Sequence, residues 1–413
     1  MNIEGNPIEN TRVDRPTSPN RVGLKNIIEI LAVTTRLGLT SFGGPIAHLS
    51  YFHHEYVRRR KWLDDGSYAD LVALCQILPG PASSQVGMAI GAMRGGIPGA
   101  VAAWLGFTLP SMLVMIAFAL LLAGFNLEST GLIHGLKIVA VAVVAHAVLG
   151  MGRNLIPDRN RATIAIVTAG VVLMAQSAGA QVLLILLAGL TGALLYQKIE
   201  VPNASRFTVP VNRAVSLISL ALFFFLLLLL PVLRQLIPYQ ELAVFDSFYR
   251  AGALVFGGGH VVLPLLEREV VPVGWVSKEM FLAGYGAAQA VPGPLFTFAS
   301  YLGAVMGGWP VAVLVTVAVF LPSFLLIIGI LPFWQTLRRY PEVQGSLMGV
   351  NAAVVGLLLA ALYDPIWTSS INKPVDFVLA VALFGMLEYW KLPSWVIVIT
   401  GAAGGILVFL TGN

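Results

Sequence analysis

Charge is what this sequence has least of. Only 11% of its 413 residues are charged, whereas 57% are hydrophobic and the mean hydropathy is +0.83. Soluble globular chains carry about 25% charged residues. The composition therefore excludes an ordinary soluble domain and predicts a membrane protein.

Cysteine is almost absent as well. Cys75 is the only one, which excludes an intrachain disulfide, a redox pair and a cysteine-rich metal site. The histidines His48, His53 and His54 show no HExxH spacing, so we predict no metal site and no cofactor. The chain also lacks the Gly-x-x-x-x-Gly-Lys-Ser/Thr loop of ATP-hydrolysing proteins.

The N-terminal residues 1–23 lack the apolar stretch of a signal peptide. We expect them to form a disordered cytoplasmic tail. The formal net charge of +5 could suggest nucleic acid as a partner. No basic stripe interleaves with aromatic residues, however, so the cations are predicted to set membrane orientation and not to bind nucleic acid.

A long uncharged run lies near the middle of the chain. Twenty residues, Ala214 to Leu233, separate Arg213 from Arg234. At about 1.5 Å per residue this run can cross a hydrocarbon core of about 30 Å. We therefore predict a transmembrane helix over residues 213–234.

The sequence on one side of this helix repeats on the other. Residues 36–55 read RLGLTSFGGPIAHLSYFHHE, and residues 250–269 read RAGALVFGGGHVVLPLLERE. The correspondence continues through two Pro-Gly-Pro motifs, at Pro79 and at Pro292, to FTLPS at residues 107–111 and FLPS at residues 320–323. We predict two homologous repeats, 24–212 and 235–413, joined by the helix 213–234.

The second repeat is predicted to have inverted topology. If each repeat crosses the membrane an even number of times, the one extra helix between the repeats makes the second repeat start on the opposite side of the membrane. The positive-inside rule agrees, because Arg153, Arg159 and Arg161 lie in one loop of the first repeat, whereas Arg338 and Arg339 follow the segment whose first-repeat loop has no cation. The fold class is thus an all-α polytopic membrane protein with two inverted repeats.

Two apolar segments of each repeat are broken at their centres. In the first repeat, segment 24–53 is interrupted by Phe42-Gly43-Gly44-Pro45, and segment 68–93 by Pro79-Gly80-Pro81. If both segments turn back within the membrane and do not cross it, the cations at residues 58–61 lie on the cytoplasmic side, as the positive-inside rule favours. We therefore expect re-entrant helical hairpins whose breaks are shielded from lipid.

Broken helices at corresponding positions of inverted repeats point to the substrate site of a secondary transporter. Pro81 and Pro294 suit the first turn of a helix, so the next residues offer unpaired amides that can bind an anion. The alternative is a kink that binds nothing. The candidate substrate-binding residues are Gly43, Gly44, Gly257, Gly258, Pro79, Gly80, Pro81, Ser83, Ser84, Pro292, Gly293, Pro294, Thr297, Gln76 and Gln289.

Arg36 and Arg250 complete this candidate set, each six residues before a Phe-Gly-Gly break. An ionised side chain at bilayer depth costs at least about 2.5 kcal/mol and is usually functional. Guanidinium groups bind oxyanions through paired donors, so two of them suit a divalent oxyanion. Alternatively, each arginine reaches the membrane interface or pairs with a glutamate.

Glu55 and Glu269 also occupy matched positions. They could carry protons, or they could neutralise Arg36 and Arg250 when no substrate is bound. Interfacial ion pairing is the alternative.

These paired motifs, together with NAAVVGLLLAALY at residues 351–363, resemble the long-chain, two-domain members of the chromate ion transporter (CHR) family. The resemblance implies a multi-pass protein of a bacterial inner membrane that exports chromate and confers chromate resistance, with sulfate as a competing anion. The loop cations and the basic tail predict a cytoplasmic N-terminus. The other partners expected are the lipid bilayer and a second copy of the chain, in a homodimer.

Other functions stay open at this stage. The cargo could be sulfate or another small oxyanion. An intramembrane enzyme acting on a phosphorylated lipid would need a metal-binding acidic cluster or an activated nucleophile, and the sequence offers neither, so no catalytic residue is predicted. A sensor or assembly subunit would transport nothing.

Overall fold

The computed structural model describes residues 23–124, 131–175, 178–196, 211–256, 258–334 and 340–410. Throughout these ranges the ordered elements are helices and there is no strand. The predicted all-α class is confirmed. The predicted tail lies outside the described residues, except for Gly23.

The first half of the chain begins with short helices and continues with longer ones. Its helices are α1 (Leu24–Thr40), α2 (Gly44–Phe52, continued by a π-helical stretch His53–Arg59), α3 (Asp65–Ile77), α4 (Ala82–Gly124), α5 (Gly131–Leu155), α6 (Arg159–Met174) and α7 (Ala178–Leu195). Helix α8 (Arg213–Leu236) follows and contains the whole uncharged run.

The second half repeats this order. Its helices are α9 (Gln240–Leu254), α10 (Val262–Val270), α11 (Lys278–Ala288), α12 (Phe298–Ile330), α13 (Pro341–Ala361), α14 (Pro374–Glu388) and α15 (Ser394–Leu410). Corresponding helices even start in the same way. Asp64 accepts a hydrogen bond from the amide of Ser67 at the start of α3, and Ser277 accepts one from Met280 at the start of α11.

Several of these helices are long and apolar enough to cross a membrane. Within the described residues, five stretches qualify: Ala82–Ala123, Gly131–Leu155, Arg213–Leu236, Leu295–Phe333 and Pro341–Ser370. Two shorter apolar helices, Gly179–Leu195 and Ser394–Leu410, accompany them. The chain is a polytopic membrane protein.

The first two hairpins return to a common end. Arg60, just after the π-helical stretch, pairs with Glu29 near the start of α1. Arg94 lies 4.0 Å from the same carboxylate, and its guanidinium stacks 4.2 Å from the centre of the Trp62 ring. The chain therefore enters and leaves both broken segments at one end of the molecule, as re-entrant hairpins require.

Each half contains a further break, at a Gly-Gly pair within a long helix. Helix α4 bends sharply at Gly95-Gly96, where Gly96 has φ +60° and ψ −153°. Helix α12 bends at Gly307-Gly308, where Gly308 has φ +69° and ψ −154°. The two halves thus use the same backbone geometry, which favours glycine because φ is positive.

The last three helices of each half interlock with those of the other half. Gly135 of α5 lies so close to α15 that a methyl group there would be 2.2 Å from the carbonyl oxygen of Gly401. Gly192 of α7 packs just as closely on Gly345 of α13. Small residues permit this close packing in membranes. We call α5–α7 with α13–α15 the bundle, and α1–α4 with α9–α12 the hairpin body.

Candidate functional site

The breaks of the two halves are hydrogen-bonded to each other. The amide of Gly80, in the first Pro-Gly-Pro motif, donates to the carbonyl oxygen of Val255 at 2.6 Å. The amide of Gly293, in the second motif, donates to the carbonyl oxygen of Ser41 at 3.0 Å. Each acceptor directly precedes a Phe-Gly sequence of the opposite half. The chain thus brings together four breaks that are far apart in sequence.

Both motifs require glycine at their centre. Gly80 has φ +120° and Gly293 has φ +100°, a region that L-residues rarely adopt. A methyl group at Gly80 would lie 2.0 Å from the Oγ of Ser323, and one at Gly293 would lie 2.8 Å from the Oγ of Ser111. These serines end the FLPS and FTLPS motifs, so each half also contributes that motif to the other half's break.

Helix α4 begins at this meeting point with buried polar side chains. The Oγ of Ser83 lies 3.3 Å from Nδ1 of His48, which joins α4 to α2. Ser84 is 2% exposed, and its hydroxyl has no hydrogen-bond partner among the described residues. The Nε2 of Gln85 donates to the carbonyl of Pro79 at 2.7 Å, but its Oε1 has no described partner.

Unpaired buried polar groups are costly unless a ligand or water satisfies them. Within the described part of the chain, more of them occur on the helices that meet here. Besides Ser84 and Gln85, such groups belong to Ser41, which follows α1, to Ser323 on α12 and to Thr108, Arg94 and Trp104 on α4. The first amides of α4 are also free of intrahelical acceptors. Hydroxyl and amide donors at a helix N-terminus can together hold an anion.

The corresponding groups of the second half are satisfied internally. The Oγ1 of Thr297 donates to the carbonyl of Pro294 at 2.8 Å. The Nε2 of Gln289 donates to the carbonyl of Tyr285 at 3.4 Å, and the hydroxyl of Tyr285 lies 2.7 Å from Nδ1 of His260. Gln76, the counterpart of Gln289, is exposed.

The glycines of the Phe-Gly-Gly breaks have few close neighbours. Gly43 and Gly44 have positive φ, and a methyl group at Gly44 would meet nothing within 4 Å in the described structure. A methyl group at Gly258 would lie 4.0 Å from the Sδ of Met151 in the bundle, and one at Gly43 would lie 3.1 Å from the Cβ of Ala47. Gly257 lies outside the described residues.

The guanidinium donors of Arg250 are bound to carboxylates. Its Nη1 and Nη2 donate to the two carboxylate oxygens of Glu269, at 2.9 and 2.8 Å, and its Nε donates to Asp246 at 3.1 Å. Arg234 donates to Asp246 at 3.0 Å, and the hydroxyl of Ser247 donates to Glu269 at 2.7 Å. Two arginines and two carboxylates thus form a neutral cluster, and Asp246 is fully buried.

Arg36 is placed quite differently from Arg250. Its side chain is exposed on α1, and no ion pair joins it to another described residue. Glu55 pairs with Arg59 at 3.0 Å and with Arg60 at 2.7 Å. The structure therefore pairs Arg250 with Glu269, whereas no ion pair among the described residues joins Arg36 to Glu55.

Two members of the Arg250 cluster were absent from the sequence-based site. Asp246 precedes Arg250 by four residues on α9, the spacing at which helical side chains meet, so this partner could have been found. Arg234 belongs to the connecting helix α8. Its contact with Asp246 depends on tertiary packing, and no sequence pattern indicated it.

The sequence is similar to that of a known protein family. The sequence model of the family described as chromate transporter matches residues 28–193 and 242–406. The chain belongs to the chromate transporter family. Each match falls within one predicted repeat, and no solved structure matches the chain.

Two relatives align with nearly the whole chain, and a third aligns with less than half of it. A chromate transport protein of Pseudomonas aeruginosa is 30% identical over 391 residues, which are 92% of each protein. A chromate transport protein of Cupriavidus metallidurans is 26% identical over 91% of each. The uncharacterized transporter YwrA of Bacillus subtilis is 29% identical over 175 residues, which are 96% of that protein but 40% of this chain.

The chromate transporter family is a family of transporters. The chain is accordingly a multi-pass membrane transport protein and not an enzyme. The resemblance drawn from the paired motifs is confirmed.

Proposed function

We propose that this chain exports chromate from the cytoplasm across the inner membrane of a bacterium, by alternating access between two inverted repeats. Sulfate, which is also a tetrahedral dianion, is proposed as a competing anion. Two relatives that align with over nine-tenths of the chain are named chromate transport proteins, which supports chromate as cargo.

The reciprocal hydrogen bonds of Gly80 and Gly293 are the observation that carries this proposal. They join the Pro-Gly-Pro break of each half to the Phe-Gly-Gly break of the other. A site built from the breaks of both repeats is the arrangement that alternating access needs, because either repeat can open towards its own side.

The chemistry of the breaks suits an oxyanion. The site we propose comprises the first amides of α4, the hydroxyls of Ser83 and Ser84 and the matched positions of the second half, including Thr297. The buried hydroxyl of Ser84 has no described partner and can donate to an anion, whereas the unpaired Oε1 of Gln85 is an acceptor and contributes no such bond. Hydrogen bonds to an ion are worth about 1.5–3 kcal/mol each, so a dianion gains from several of them at once.

Arg250 and Glu269 are proposed as the charge-coupling pair of the transporter. Their bidentate ion pair neutralises Arg250 in the absence of substrate. Protonation of Glu269, or the approach of an anion, would free donors of the guanidinium. Arg36 and Glu55 have the matched positions, and we propose that they take the corresponding roles when the first repeat changes conformation.

Loop cations support the proposed orientation. Arg153 and Arg159 flank the turn between α5 and α6, which the positive-inside rule assigns to the cytoplasm. The hairpin ends near Arg58 and Arg60 then also lie inside, and so does the N-terminus.

Uptake of radiolabelled chromate into energised inside-out vesicles tests this function. We expect accumulation above that of vesicles without the protein, and we expect excess unlabelled sulfate to reduce it. Accumulation of labelled sulfate alone would make sulfate the cargo. The absence of uptake for both anions, with the protein correctly inserted, would contradict the proposal.

A further inference from the structure

The two halves differ in how their second hairpin meets the bundle. Helix α11 of the second half packs along α5, and all residues from Met280 to Ala288 are buried. A methyl group at Gly286 would lie 2.2 Å from the carbonyl oxygen of Leu136. The backbones of α5 and α11 are therefore in direct contact.

Helix α3 is the counterpart of α11, and α13 is the counterpart of α5. Among the described residues, no comparable packing joins α3 to α13. Ala73 and Gln76 on α3 are exposed, whereas the matched Gly286 is buried and Gln289 is half-buried. One half has closed on the bundle and the other has not.

The hydrophobic cores divide in the same way. The apolar residues of α10 and α11 share one core with α5 and α13. Those of α3, including Leu71 and Leu74, pack with α1, α4 and α12 in a separate core. That second core contains no described residue of the bundle. The first-half hairpins are thus free to move relative to the bundle without disrupting its core.

The closed contact and the gap lie at opposite ends of the molecule. Near the start of α11, Lys278 lies 3.7 Å from Asp364, which follows α13. His134 near the start of α5 bonds to Asp376 of α14 at 2.7 Å. The gap between α3 and α13 instead lies at the end where Arg60 and Arg94 meet Glu29, the end to which loop cations assign the cytoplasm.

We propose that this conformation is the inward-open state of the transporter, with the α5–α11 contact as the closed outer gate and the α3–α13 gap as the entry path. This inference rests on the proposed alternating access. In the opposite state the halves exchange conformations. Ala73 then packs on α13 near Val350, the counterpart of Leu136, while Gly286 leaves α5.

The open path agrees with a difference in hydrogen bonding within the site. The hydroxyl of Thr297 in the second half is bonded to Pro294, whereas that of the matched Ser84 has no described partner. Where the breaks meet, the buried hydroxyls without described partners belong to Ser41, Ser84, Thr108 and Ser323, although other such groups, for example that of Gln181 on α7, occur elsewhere in the described structure. An anion arriving from the cytoplasm would thus meet the unsatisfied donors of the first half.

The rates of cysteine labelling at matched positions test this state without any chromate. In a Cys75→Ala background, Gln76→Cys in inside-out vesicles should react with a membrane-impermeant maleimide about tenfold faster, or more, than Gln289→Cys in right-side-out vesicles. Equal rates, or a faster reaction at Gln289→Cys, would overturn the proposal. These labelling rates do not depend on chromate. A protein that does not take up chromate can therefore still show the inward-open state, and the proposal of chromate export and that of the inward-open state are tested separately.

Gly286→Ala adds a test of the gate itself. The added methyl group should prevent α11 from seating on α5, so we expect labelling of Gln289→Cys to rise and that of Gln76→Cys to fall. Gly252→Ala is the matched control, because its methyl group would lie 2.1 Å from the carbonyl oxygen of Val319 within the hairpin body. It should leave the ratio of the rates unchanged. If Gly286→Ala inserts into the membrane but leaves the ratio of labelling rates unaltered, the α5–α11 contact is not the outer gate. The comparison of Gln76→Cys with Gln289→Cys stands even if Gly286→Ala does not fold.

Discussion

The amide of Gly80 and the carbonyl oxygen of Val255 are hydrogen-bonded at 2.6 Å across the two halves of the chain. Gly293 and Ser41 form the equivalent bond at 3.0 Å. These contacts hold the breaks of both hairpins at one place. They also make the central glycines the positions at which a small substitution should have a large effect.

We expect Gly80→Ala to destabilise the protein more than Gly293→Ala. Both side chains would sit in a strained backbone region, at about 1–3 kcal/mol each. The clash at Gly80 is worse, because the methyl group would lie 2.0 Å from Ser323, compared with 2.8 Å from Ser111 at Gly293. Thermal unfolding of the purified protein in detergent measures both.

Ser323→Ala should partly rescue Gly80→Ala. The Oγ of Ser323 is the atom nearest to the added methyl group, and it has no described hydrogen-bond partner. Ser323→Ala alone should therefore change the stability little. A double variant no more stable than Gly80→Ala would show that backbone strain, and not the contact with Ser323, causes the loss.

Breaking the ion pair between Arg250 and Glu269 should be costly from either side. Arg250→Gln and Glu269→Gln each leave the cluster with Asp246 and Arg234 carrying one net charge, and removing one partner of a buried pair costs about 3–5 kcal/mol. We expect about 2–3 kcal/mol here, because the two side chains remain 22% and 13% exposed. The double variant should recover part of the loss, as a double-mutant cycle in thermal unfolding would measure.

Arg36→Gln is the matched control for this cycle. The side chain is exposed and has no ion pair among the described residues, so we expect the stability to change by less than about 0.5 kcal/mol. A loss as large as that of Arg250→Gln would mean that Arg36 has a structural partner in the folded protein. Loss of transport at unchanged stability would instead support a role in binding the anion.

Ser84→Ala should separate binding from stability. Its buried hydroxyl has no described partner, so its removal should leave the stability unchanged or raise it by about 1 kcal/mol. If the hydroxyl donates to the anion, the KM for chromate should rise about tenfold.

Ser83→Ala provides the comparison. The hydroxyl of Ser83 lies 3.3 Å from Nδ1 of His48, and its loss should lower the stability by about 1 kcal/mol. If the KM for chromate is unchanged in Ser84→Ala, the hydroxyl of Ser84 does not belong to the proposed site.

Much of the architecture was predictable from local sequence signals. The uncharged run from Ala214 to Leu233 lies within α8, and the Pro-Gly-Pro motifs do interrupt the helices. Proline lacks an amide hydrogen and glycine tolerates positive φ, so their effects on the backbone need little tertiary context. The repeat itself is a property of the sequence and predicted which breaks correspond.

The contacts between the halves were not predictable in this way. Arg36 and Arg250 look equivalent in the sequence, but one is exposed and the other is paired with Glu269 and Asp246. A repeat in the sequence shows only what the two halves have in common, whereas the halves can adopt different conformations in the folded protein. Which donors are already satisfied therefore depends on the state of the protein.

Equilibrium dialysis of the purified protein against radiolabelled chromate tests the central claim most directly, namely that the breaks of both halves form one anion site. The account predicts one chromate per chain. It predicts weaker binding in both Gly80→Ala and Gly293→Ala, and unchanged binding in the Gly252→Ala control. Two chromate ions per chain, or undiminished binding in both Pro-Gly-Pro variants, would contradict a single shared site.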